Sequence, residues 1–225
     1  MSWALKGWEL QNKYVLLMPR IDAHQHFWNY DPVRDNWITN DMGVIRKDFL
    51  PADLKLILDQ NDFDGSVVVQ SSQSEEENDF QLQNAGENDF IKGIVGWVDL
   101  RADDVEERLG YYSSFKKMKG FRHVLQGELQ RDLMLSPGFM KGISKLGKFG
   151  FTYDILIFPD QLQYIVPFAA AFPDQPFVID HLAKPVIRES KMEPWKKGME
   201  SRAQYENMYC KISGMVTEAD RSNWK

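Results

Sequence analysis

Arg20-Ile-Asp-Ala-His-Gln-His26 decides how this chain is read. It looks like a short strand ending in two histidines, and the next regular segment, 51–63, is helical. There Leu54, Ile57 and Leu58 fall at helical spacing, and Pro51 suits a first turn. Outward from this unit the pattern repeats. Strand-like runs at 65–70, 91–98, 119–125, 151–158, 176–181 and 208–213 alternate with helix-like segments at 75–87, 105–115, 136–149, 161–172 and 193–206. Such alternation argues for parallel βα units with right-handed crossovers, hence an α/β fold. Seven strands predict a TIM (β/α)8 barrel cut short after strand seven, because a closed barrel needs an eighth βα unit.

With 225 residues and 43% hydrophobic content, the chain can bury a substantial core. A net charge of -6 gives nucleic-acid binding no electrostatic support. The apolar runs are too short to span a membrane. Cys210 is the only cysteine, so no intrachain disulfide forms and a cytoplasmic location is expected. Residues 1–18 read as an N-terminal extension without the pattern of a signal peptide, and residues 19–225 as one barrel domain. The long first loop, 27–50, is rich in Trp, Asp and Asn, and loops of that length are usually functional.

All four histidines fall in strands or at their ends. His24 and His26 share a face, since side chains alternate along a strand. At the C-terminal mouth of a barrel, two imidazoles can hold a metal or orient a carbonyl. Against this stands the plainer reading of two packed or exposed histidines. At Asp180-His181 only one side chain can point inward from a regular strand; His181 is the choice, with Asp180 packed behind. The same constraint separates Arg122, a donor fork for an anionic or carbonyl oxygen, from His123, a proton carrier. Lys184 can reach the mouth; Trp28, Trp37 and Trp97 could wall a sugar site or simply pack. Gln70, Gln126 and Glu128 are weaker candidates. Cys210 reads as a buried structural thiol, and Glu75-Glu76-Glu77 as a solvated helix start.

Four stretches together resemble the amidohydrolase-related family, and within it the L-fuconolactonase and L-rhamnono-lactonase branch. They are Ile21-Asp-Ala-His-Gln-His-Phe-Trp28, Gly120-Phe-Arg-His-Val-Leu-Gln126, Val178-Ile-Asp-His-Leu-Ala-Lys-Pro185 and Tyr209-Cys-Lys-Ile-Ser-Gly-Met-Val-Thr-Glu218. The resemblance implies a distorted TIM barrel that opens a small-molecule sugar lactone by hydrolysis in sugar acid catabolism. It implies His24, His26 and His181 as metal ligands and His181, Arg122 and His123 as catalytic groups; Trp28, Trp37 and Lys184 are the substrate contacts expected from residue type and place in the chain. One divalent metal is expected, zinc by its taste for imidazole, with a metal-free mechanism as the alternative.

One departure matters. The family's general base is an aspartate at the end of strand eight, and no stretch here matches it. The expectation is therefore a barrel domain lacking its last βα unit, with unpaired strand edges that favour a homo-oligomer. Two further readings follow. One is a metal-dependent decarboxylase of the same superfamily; the other is an inactive barrel that only binds a ligand or partner.

Overall fold

A helix between two strands carries the chain back across the sheet, so consecutive strands must run the same way. The computed structural model describes residues 18–220 and 222. In it β1 (Ile21–Gln25), β2 (Gly65–Val69), β3 (Ile91–Gly96), β4 (Met118–His123), β5 (Thr152–Ile155), β6 (Phe177–Ile179) and β7 (Met208–Cys210) form one sheet in chain order. Every neighbouring pair is parallel. Between them lie α1 (Pro51–Gln60), α2 (Glu75–Glu87), α3 (Val105–Ser113), α4 (Pro137–Leu146), α5 (Ile165–Ala171) and α6 (Met192–Glu200), and α7 (Met215–Glu218) follows β7. Of the expected extension at 1–18, all but the exposed Met18 lies outside the described residues.

The sheet curls strongly. His24 in β1 comes within 3.4 Å of Asp180, just past β6. In a flat sheet those strands would stand roughly 24 Å apart, at ~4.8 Å per strand. This is the wall of a TIM barrel, seven strands around.

Alternation sorts the side chains of that wall. Phe121 of β4 pairs in register with Tyr153 of β5, and Tyr153 with Phe177 of β6. All three face outward and are buried against Tyr112 of α3, Phe139, Ile143 and Leu146 of α4, and Phe168 of α5. One residue on, Arg122 pairs with Asp154 and both turn inward. The apolar layer between sheet and helices holds the fold. The interior positions carry charge.

Two expectations need correction. The acidic start of α2 is not simply solvated: Glu77 is buried and its Oε1 accepts from Ser71 N, Ser71 Oγ and Gln81 Nε2 at 2.9 to 3.0 Å. Gln81 in turn donates to the Phe27 carbonyl at 2.8 Å. The helix start thus anchors the first two loops. Cys210 is exposed, because β7 pairs only with β6 among the described residues.

Candidate active site

Five inward-facing groups from five strand ends meet in the barrel. Asp180 is fully buried at their centre. Its Oδ2 accepts from Arg122 Nη1 at 3.0 Å. Its Oδ1 lies 3.1 Å from Lys211 Nζ and 3.4 Å from His24 Nδ1, with hydrogen-bond alignment to neither. Lys211, just past β7, donates to Asp154 Oδ2 at 2.5 Å and stands 3.3 Å from His24 Nδ1. Arg122 is held from the other side by Gln70, donating to its carbonyl at 2.6 Å and its Oε1 at 3.2 Å. Gathering four charges in a barrel interior has a desolvation cost of several kcal/mol per ion. Such a cluster marks a functional site more often than a stabilising one.

The imidazoles sit on this charged floor. His26 Nδ1 donates to the Val69 carbonyl at 2.7 Å, which leaves the Nε2 lone pair free. That atom is 3.2 Å from His24 Nε2. The His181 ring lies 4.4 Å from that of His24, centre to centre, and Ser213 Oγ is 2.9 Å from its Nδ1. Burial lowers the pKa of all three; His26 is driven well below the usual histidine range, and His181 down to about 4. At neutral pH the three rings are therefore uncharged. Burial alone would raise Asp180, but its His24 neighbour and the charges of Lys211 and Arg122 outweigh it and hold the carboxylate well below the usual range. Burial and the nearby Asp180 charge push Asp154 up to about 6 in spite of Lys211.

The loop that delivers His181 breaks the expected alternation. β6 ends at Ile179, and a tight turn covers Asp180–Ala183. His181, Leu182, Ala183 and Lys184 all have φ of 52° to 53°. Left-handed backbone costs L-residues roughly 1–2 kcal/mol each. Such strain persists only where the surroundings over-determine it. Here Leu182 N donates to the Lys211 carbonyl, and Trp195 Nε1 to the Leu182 carbonyl at 2.6 Å. The turn lets Asp180 and His181 both reach His24, which a regular strand would forbid.

His123 lies apart. Trp97 Nε1 donates to its Nδ1 at 3.3 Å, its Nε2 meets Glu128 Oε1 at 2.6 Å, and its ring packs edge-on to Phe139. Both nitrogens are used. Trp28 packs on Phe49 and lines a cleft of about 370 Å³ with Asn29, Arg34, Ser72, Ser74, Glu76, Glu77 and Phe80. Trp37 is half exposed in the first loop and makes no ring contact among the described residues. Lys184 Nζ lies 3.8 Å from Glu218 and 5.4 Å from the centre of the Phe158 ring.

Asp154 and Lys211 escape the sequence reading. Each carries a signal: a lone acid in Tyr153-Asp-Ile155, and a lysine inside the strand-like run 208–213. Neither pattern separates an interior charge from a surface one until the register is known.

The donor set suits a divalent ion. Two imidazole nitrogens on one zinc, each at ~2.0–2.1 Å, stand roughly 3.4 Å apart, close to the 3.2 Å between His24 and His26 Nε2. Donor atoms of His24, Asp180 and His181 all lie within 4.8 Å of one another. Asp180 Oδ1, which accepts no aligned hydrogen bond although Lys211 Nζ stands 3.1 Å away, supplies a buried anion.

Comparison with known proteins places the chain in a family. The family model described as amidohydrolase matches residues 21–225. The chain belongs to the amidohydrolase family. It is 35% identical to an L-fucono-1,5-lactonase of Burkholderia multivorans, over 89% of this chain and 70% of that protein. A crystal structure of an amidohydrolase from the same organism, with bound zinc, superposes with a TM-score of 0.87 at 35% identity, covering 90% of this chain and 72% of that one. A probable 2-pyrone-4,6-dicarboxylic acid hydrolase from Acinetobacter baumannii shares the fold, with a TM-score of 0.73 at 18% identity and coverage of 91% and 74%. No helix of the described residues is long and apolar enough to cross a membrane.

Proposed function

We propose that this protein is a sugar lactonase that opens a 1,5-lactone of the L-fuconate type. The observation that carries this reading is the pairing of the uncharged His24, His26 and His181 cluster with 35% identity to a protein named L-fucono-1,5-lactonase. In the reaction, water adds to the ring carbonyl, the ring C–O bond breaks, and an open-chain sugar acid leaves with a new hydroxyl.

His24, His26 and His181, with Asp180, would hold one divalent ion, zinc by ligand type. When bound, such an ion polarises a carbonyl or acidifies a water. Arg122 is locked between Asp180 and Gln70, so its guanidinium stays fixed beside His24, aimed at developing negative charge on the carbonyl oxygen. Trp28, Trp37 and Lys184 contact the sugar. His123 supports the site from the helix side rather than moving a proton, since both its nitrogens are occupied.

The test is a panel of sugar 1,5- and 1,4-lactones offered to protein made from its native gene. Acid release is followed by indicator and the product by NMR. Fast opening of L-fucono-1,5-lactone or a close stereoisomer, without carbon dioxide, is expected. Carbon dioxide from an aromatic acid, or no lactone opened above the uncatalysed rate, would overturn the reading.

A further inference from the structure

The segment after β7 does more than end the sheet. Gly214 has φ of +71°, a left-handed conformation that favours glycine. A Cβ built on it would stand 2.9 Å from each of Cβ, Cγ and Nδ1 of His181. The His181 side chain thus occupies the space that a side chain at 214 would need. The residue before it, Ser213, places Oγ 2.9 Å from Nδ1 of the same ring. No other hydrogen bond to the His181 side chain is present among the described residues. One side and one nitrogen of His181 are thus fixed by two consecutive residues from a different strand end.

We propose that Ser213 and Gly214 are positioning residues for His181. Ser213 Oγ accepts a hydrogen bond from Nδ1–H, which keeps the proton on that nitrogen and leaves Nε2 as the one that faces ligand. Gly214 leaves the ring its place, because any side chain there pushes the imidazole off His24. The left-handed turn at 181–184 lets the ring reach the seat, and the seat holds it there. The position of His181 is then shared between the ends of β6 and β7, and the two must stay in register for the site to form. The chemistry served rests on the lactonase reading, but the placement of the ring does not.

The test separates the two. The full chain is labelled with 15N-histidine, stripped of metal with a chelator, and the His181 ring is observed by long-range 1H–15N correlation. The expected pattern is a single Nδ1–H tautomer in the wild type, a tautomer mixture in Ser213→Ala, and the wild-type pattern restored in Ser213→Thr. Gly214→Ala, checked for folding by circular dichroism, is expected to weaken zinc binding by roughly 10–100-fold, as loss of an outer partner typically does. With lactone, its kcat falls and KM moves little. An unchanged tautomer in Ser213→Ala overturns the proposal, as does wild-type zinc affinity in folded Gly214→Ala. If Gly214→Ala does not fold, the two Ser213 variants decide alone. Correct tautomers with no lactone opened would leave the seat standing and sink only the lactonase reading.

Discussion

The two faces of one strand pair differ more than any two distant parts of the molecule. On the outer face Phe121, Tyr153 and Ile155 are fully buried among helix side chains. On the inner face, one residue away, Arg122 and Asp154 face a floor of charges and imidazoles. The outer face buries apolar surface, which stabilises by about 25 cal/mol per Å². The inner face confines ions whose solvation is lost, a term that opposes folding. Stability and chemistry are therefore carried by alternate residues of the same strands, and a mutation can address one with little effect on the other.

The largest effect is expected at the centre of the inner face. Asp180→Ala leaves Arg122 and Lys211 facing each other without their shared carboxylate. Breaking a buried ion pair from one side costs about 3–5 kcal/mol. Denaturant unfolding should show this loss, together with loss of zinc binding. Phe139→Ala attacks the outer face. Cavity formation there costs about 3–5 kcal/mol too, yet zinc affinity in the surviving folded protein should stay at wild type. Equal loss of zinc affinity in both variants would break the division between the faces.

A smaller effect is expected from pH. His24, His26 and His181 have folded pKa values below their unfolded ones. Between about pH 6.5 and 4 the unfolded chain binds more protons at these rings, so stability falls as pH falls through that window. Asp154 acts oppositely: its folded pKa, about 6, lies above 3.8, so its term falls as pH rises between those values. Unfolding free energy against pH should therefore be less steep on the acid side in His181→Asn than in the wild type. A steeper curve in the variant would contradict the buried, neutral ring. The smallest effect belongs to Trp37, half exposed in the first loop. Trp37→Ala should change stability by no more than about 0.5 kcal/mol, while KM for lactone rises a few-fold if the ring walls the substrate.

Most of the strand and helix order is legible in the sequence, because buried parallel strands read as apolar runs and the helices keep their spacing. The histidine pair is legible because its two-residue spacing survives at the end of β1, although the strand stops at Gln25 and its register with β2 shifts between Asp22 and Gln25. Alternation fails at Asp180-His181, where the strand has already ended and a left-handed turn points both side chains inward. A run of four positive φ values at His, Leu, Ala and Lys leaves no mark in residue type. Asp154 and Lys211 are missed because one charged residue in or beside a strand has the same appearance whether it faces water or a partner across the barrel. Glu77 is missed because three acids in a row read as a solvated helix end, although the third reaches back to the loop behind it.

Zinc titration of three proteins tests the central claim most directly: the wild type, His24→Ala on the inner face and His123→Ala on the helix side. The account predicts tight binding of one ion per chain in the wild type, little change in His123→Ala, and loss by two orders of magnitude or more in His24→Ala. Equal binding by His24→Ala and wild type, or loss confined to His123→Ala, would contradict it.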